Sequence, residues 1–162
     1  MEHPYRDYPR SIRGALGKTG TLPVMVDGDV AEAVRAALAD TPGIVSAYLF
    51  GSAGRGQMHR ESDVDVGVLL DRGLYPTRAG RFEARLRLSV QLEAAVTRTV
   101  DLVVLNDAPP SLARHIMRDG TRLLVTDAAQ DQRHLRVTLS RAADLQPFLR
   151  RTRAVKLRAI GR

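Results

Sequence analysis

Residues 50–66 read FGSAGRGQMHRESDVDV, a polar, glycine-rich stretch held between two largely apolar runs, Ile44 to Phe50 and Val64 to Leu70. Short apolar runs bounded by turn residues read as buried strands. Two such strands joined by a loop rich in glycine and charge confine the chain to a sheet whose loop-bearing end carries the chemistry. Gly51 lets the backbone turn sharply and approach a ligand closely. A helix beginning after Ser52 would present unpaired N–H groups and the positive end of its dipole to an anion. Ser52 adds a hydroxyl, Gly54 and Gly56 keep the turn slim, and Arg55 offers a forked head for phosphate. By themselves these residues also fit an ordinary turn with a Ser N-cap.

The other half of the stretch is acidic. Asp63 and Asp65 are two apart on an expected strand, so their side chains leave one face. Two carboxylates at about 4 Å repel by roughly 4 kcal/mol at an effective dielectric near 20. A divalent cation removes that penalty, and Mg²⁺ is commonly held by one or two carboxylates plus substrate phosphates. An isolated Asp-x-Asp is more often a solvated strand end. Asp101 shifts the balance, because it lies near the start of a third apolar run, Val100 to Leu105. If that strand neighbours the Asp63 strand, three acids and a phosphate loop form a two-metal phosphoryl-transfer site.

Gly51-Ser52, ten residues from Ala53 to Ser62, then Asp63-Val64-Asp65 resembles the signature of the DNA polymerase β-like nucleotidyltransferases. The strings GSAGRG and SDVDV, followed by VDLVVL, are similar to the minimal nucleotidyltransferases (MNT), small proteins that are often antitoxins paired with a HEPN-domain toxin. The resemblance runs from about Ile44 to the C-terminal helix, with Gly54 in place of a commoner Ala. It implies an α/β nucleotidyltransferase fold: a small mixed sheet with packed helices and a C-terminal helix. It implies ATP as substrate, two Mg²⁺ ions on Asp63, Asp65 and Asp101, and a nucleotide held by Gly51, Ser52, Arg55 and Ser62. The three acids would also be catalytic, with Asp101 orienting or deprotonating the attacking hydroxyl. The acceptor would be a tyrosine of a cognate HEPN toxin and AMP the group moved.

Length and composition bound these expectations. At 162 residues the chain supports one domain, expected over 27–162 behind a flexible arm at 1–26. With 44% hydrophobic residues and 4% aromatics, the core should be Leu, Val and Ala. There is no cysteine, so neither a disulfide framework nor a thiolate metal site is available. No apolar run reaches membrane-spanning length, and the first residues lack the apolar core of a secretory signal. A cytoplasmic protein is expected. The net charge of +7 admits nucleic acid, an acidic protein partner or only water. Scarce aromatic residues disfavour single-stranded nucleic acid.

Along the chain, Gly17-Lys18-Thr19 is not a P-loop, since Ile12 stands where that loop needs its first Gly. Asp29 and Glu32 read as a capping box opening a helix that carries Val30, Val34 and Leu38. His59 and Arg60 read as solvated. Phe82 to Leu92 alternates apolar and polar, which argues strand, yet its Leu, Ala, Arg, Glu and Gln favour helix. Helix is the expectation, with a stripe wide enough to meet the sheet and a partner. Pro110 should open a helix on which His115 packs, and Arg122 to Val125 should be a fourth strand. A final helix from Asp127 should kink or break at Pro147.

Two other functions fit the same residues. The chain could neutralise a partner by covering it, or transfer a nucleotide to an RNA end or a small molecule.

Overall fold

The computed structural model describes residues 27–51 and 63–160. The elements follow as α1 (Asp27–Ala39), β1 (Ile44–Leu49), β2 (Val64–Leu70), α2 (Arg78–Val96), β3 (Val100–Val104), α3 (Pro110–Asp119), β4 (Thr121–Val125) and α4 (Ala128–Ile160). The arm expected over residues 1–26 and the short helix expected after Ser52 lie outside the described residues.

The four strands form one mixed sheet in the order β3-β2-β1-β4. β1 runs antiparallel to both β2 and β4, while β2 and β3 are parallel. Parallel neighbours need a long crossover, and α2 supplies it. Alternate residues of each strand leave opposite faces, so the sheet has two cores. Ile44, Leu49, Val64, Val66, Val68, Val100 and Leu102 meet α1 and α2 on one face. On the other, Val45, Tyr48, Leu69 and Leu105 meet Ala113, Ile116 and Met117 of α3. The β1–β2 register shifts between Ile44 and Ser46. An extra residue there lets Val45 pack in the second core while Ser46 bonds α4 beside it.

α2 settles the conflict in its sequence. It is a helix of 19 residues, opened by Thr77, whose side chain accepts from Gly80 N–H at 3.0 Å. It closes on Thr97, whose φ of 54° is left-handed. Ala84, Leu88, Leu92 and Val96 are buried at helical spacing. Arg81 is buried with them, which its charge did not foretell. It grips Asp107 with two bonds of 2.7 and 2.8 Å and donates to the carbonyls of Tyr75 and Pro76 at 3.0 Å. The Arg81 guanidinium holds the Asp107 carboxyl below the usual carboxylate range.

α4 is anchored through its first turns. Asp127 caps it by accepting from Gln130 N–H at 2.9 Å. Asp131, 1% exposed, accepts from the Ser46 and Tyr48 hydroxyls at 2.7 Å each. Arg122 approaches the same carboxylate to 3.3 Å and lies over the Tyr48 ring.

Three local expectations are corrected. Of the kink or break expected at Pro147, the break does not occur, since the helix runs through it to Ile160; a single proline removes one backbone bond, and the helix continues on the rest. The first helix begins at Asp27 rather than Asp29, and Glu32 turns forward to Arg35 at 2.6 Å instead of reaching back as a cap. His115 is half exposed and pairs with Asp119 at 2.9 Å one turn on, so it is not a packing residue.

Candidate active site

The parallel pairing of β2 and β3 aligns Val64 with Val100 and Asp65 with Asp101. Neighbouring strands lie about 4.8 Å apart, so the two aspartates leave adjacent strands side by side. Val64 and Val66 are fully buried against α1 and α2, and Val100 and Leu102 nearly so. By the alternation of a strand, Asp65 and Asp101 belong to the opposite face. α3 covers that face only further along, where Ile116 lies so close over Gly67 that a Cβ there would stand 2.6 Å from it. The sheet is thus roofed beyond Gly67 and open at the aspartates. Asp65 is half-buried and the Asp101 side chain is 59% exposed.

Gly51 completes the corner. Phe50 N–H donates to the Asp65 carbonyl at 3.0 Å, which extends the β1–β2 pairing to the end of the strand. The next residue, Gly51, has φ +66°, a conformation costly for any residue with a Cβ. A Cβ built there would overlap the Asp65 carboxylate. Glycine is required twice, by the turn and by the approach. The loop that starts at Gly51 therefore leaves directly against Asp65. Gly51→Ala is expected to push the Asp65 carboxylate aside and reduce activity at this site more than stability. Comparing turnover and thermal melting of the variant with those of the parent checks this; equal turnover would show that the approach is dispensable.

Asp63 lies immediately before β2 and is exposed, two residues from Asp65. Val64 N–H donates to the Thr99 carbonyl at 2.9 Å, so β2 and β3 are already joined at that point. Among the described residues, no group of three acidic, histidine or cysteine side chains is gathered closely enough to hold a metal ion. The aligned Asp65–Asp101 pair is what the sheet brings together. That pair still suits Mg²⁺ chemically: its donors are hard oxygens, and the ion needs only one or two carboxylates when phosphates supply other ligands. Ser52, Arg55 and Ser62, the other nucleotide-binding candidates, lie outside the described residues.

One neighbour was missed from the sequence. β3 is an edge strand of the sheet, and Arg85 of α2 donates its Nε to the edge carbonyl of Leu102 at 2.7 Å. The same guanidinium comes within 4.0 Å of Asp101. An Arg on an exposed helix position gives no sequence signal of this contact, which exists only because α2 packs alongside the sheet edge.

Residues 32–129, well over half of the chain and including all four strands, match the family described as polymerase beta, nucleotidyltransferase. The chain belongs to the polymerase β nucleotidyltransferase family. Within that family it is similar to the protein adenylyltransferase MntA of Shewanella oneidensis, 37% identical over 76 residues. That stretch covers 47% of this chain and 50% of the relative, so the chain spans about half the length of the curated relative it matches. It also resembles a chain of a toxin–antitoxin crystallised with AMP-PNP. There the identity is 27%, the coverage 82% of this chain and 98% of the other, and the TM-score 0.58. A complex of the tri-AMPylated Shewanella oneidensis HEPN toxin with its MNT antitoxin matches at TM-score 0.56 over 85% of this chain and 100% of the other. At 23% identity this last likeness is one of fold. Among the described residues no helix is long and apolar enough to cross a membrane.

Proposed function

We propose that the protein is a Mg²⁺-dependent nucleotidyltransferase that moves AMP from ATP to a tyrosine hydroxyl of a cognate HEPN toxin, and so acts as an antitoxin in the cytoplasm. The observation that carries this reading is the alignment of Asp65 with Asp101 beside the Gly51 corner. Support for adenylyl transfer comes from the name of the MntA relative and from the AMP-PNP held by the toxin–antitoxin neighbour. The HEPN acceptor rests on the MNT resemblance of the motif itself.

In this mechanism Gly51 and Ser52, with Arg55 and Ser62, hold the triphosphate. Asp65 and Asp101, with Asp63 two residues away at the start of β2, would hold the metal, which would supply charge neutralisation and Lewis acidity at the phosphates. Asp101, on the open edge strand, orients the acceptor hydroxyl and takes its proton. The hydroxyl oxygen bonds to the α-phosphorus, the α–β anhydride bond breaks, and pyrophosphate leaves. Arg85 tethers the backbone beside Asp101 through Leu102.

The test is incubation of the purified toxin with the protein, radiolabelled ATP and Mg²⁺. Label should pass to the toxin, appear as added AMP by mass, and disappear with EDTA. A toxin that stays unlabelled under those conditions sinks the reading. Neutralisation by contact alone is the second reading, favoured by the exposed apolar row on α2 described below. It predicts that the toxin is silenced without nucleotide.

A further inference from the structure

α2 carries two apolar stripes, and the fold uses one. Residues two apart on a helix are separated by about 200°. Ala84, Leu88 and Leu92 therefore turn into the core, while Phe82, Leu86 and Val90 turn away from it. These three are 55%, 53% and 68% exposed. A contiguous exposed row of large apolar side chains marks an interaction surface.

The Phe82 end of the row opens into a groove of about 270 Å³ between α2 and the edge strand β3, floored by Leu102 and Val104 and rimmed by Arg78 and Arg85. The groove's lining includes one acid, Asp107, and Arg81 occupies both of its oxygens. Arg85, 45% exposed, is shared with Asp101 at 4.0 Å, and the exposed Arg78 leaves the rim with a net positive charge. Arg85 also joins groove to active site, since it lies 4.0 Å from Asp101.

The chain's own ends do not complement this rim. Residues 1–26 carry four Lys or Arg against two Asp or Glu, and residues 148–162 carry six Lys or Arg and no acid. An acidic partner fits where these basic segments would be repelled.

We propose that this groove and the Phe82–Leu86–Val90 row are the docking surface for the acceptor protein. The acceptor presents a segment whose apolar side chains cover the row and whose Asp or Glu residues meet Arg78 and Arg85. What docks there rests on the adenylyltransferase reading; that an acidic, partly apolar protein segment docks there rests on the surface itself. The groove meets the active site at the β3 edge, where Arg85 lies 4.0 Å from Asp101.

Arg78→Glu and Phe82→Ser, both at exposed positions, are compared with the parent in transfer of radiolabelled AMP to the cognate HEPN toxin. Binding of AMP-PNP with Mg²⁺ is measured by calorimetry alongside. Each variant should raise the apparent KM for the toxin at least tenfold, with the AMP-PNP affinity kept within about twofold. Added salt should raise the parent's KM and affect Arg78→Glu less, because exposed charges are screened. A KM for the toxin unchanged in both variants overturns the docking proposal. If the parent itself transfers no AMP, the enzymatic reading has failed, and docking is judged by the toxin's Kd alone. A tenfold weakening in the variants then upholds the surface, and equal Kd values overturn it. Single-stranded RNA bound by the parent and lost in Arg78→Glu, with toxin affinity intact, would overturn it in favour of a nucleic-acid occupant.

Discussion

In the proposed AMP transfer, Asp65→Asn and Asp101→Asn should each lower the rate by roughly two to three orders of magnitude or more, the scale seen when a single group stabilising transition-state charge is removed. The substitution keeps shape and removes one negative charge. Asp65 and Asp101 stand in register on adjacent strands, so relief of their repulsion offsets what is lost elsewhere, such as the weak exposed ion pair of Asp101 with Arg85. Thermal melting should therefore change little while turnover collapses. That opposition separates a catalytic from a structural role. The double variant should be no worse than the poorer single one, because groups that act as a unit are not additive. Initial rates with radiolabelled ATP and a melting curve for each variant decide it. Transfer at the parent rate by either single variant would remove that residue from the chemistry.

The largest stability effect is expected at a residue with no part in that chemistry. Asp131→Ala should cost about 3–5 kcal/mol. It strips the acceptor from two buried hydroxyls, Ser46 and Tyr48, and an unsatisfied buried polar group costs about 1–3 kcal/mol. The loss also unpins the first turns of α4 from β1. For a chain of this size each kcal/mol moves Tm by roughly 2–4 °C, so the midpoint should fall by about 6–20 °C. Tyr48→Phe, which leaves Asp131 its Ser46 and Arg122 partners, should cost only about 1 kcal/mol.

A pH experiment reads the same cluster. Burial first, then the bond to Asp131, push the Tyr48 hydroxyl up to about 12. Its ordinary value is about 10. A folded pKa above the unfolded one gives stability that is fully present below pH ~10 and lost as pH rises toward the folded value. Denaturant midpoints should fall between pH 10 and 12 in the parent and fall less in Tyr48→Phe. Identical slopes in the two proteins would show that Tyr48 does not govern the alkaline loss.

The elements were legible from local pattern wherever one face of one element decided the outcome. Val64 to Leu70 and Val100 to Leu105 announced themselves as strands by composition and by length, the second ending one residue early at Val104. The segment around Phe82 did not, because its strict alternation fits a strand as well as a helix with two opposed stripes. Only its residue preferences pointed to the helix, and which stripe would be buried had no local cause. Arg81 was equally opaque. Its burial depends on Asp107, 26 positions away, arriving at the same spot by way of the α2–β3 crossover. The network of Asp131 with Ser46 and Tyr48 spans more than 80 positions, and no spacing rule connects them.

By itself the sequence determined the chemistry available: a glycine-serine corner, a pair of aspartates two apart, and a third at the head of another apolar strand. Residue type and short spacing are local properties, and local properties survive without a fold. Whether those acids meet was decided by tertiary structure alone. The parallel register of β2 and β3 sets Asp65 beside Asp101, and the absent Cβ of Gly51 lets the backbone turn against Asp65. The same packing left Phe82, Leu86 and Val90 in solvent, because a helix lying on a sheet can bury one of its faces and must leave the other for something else.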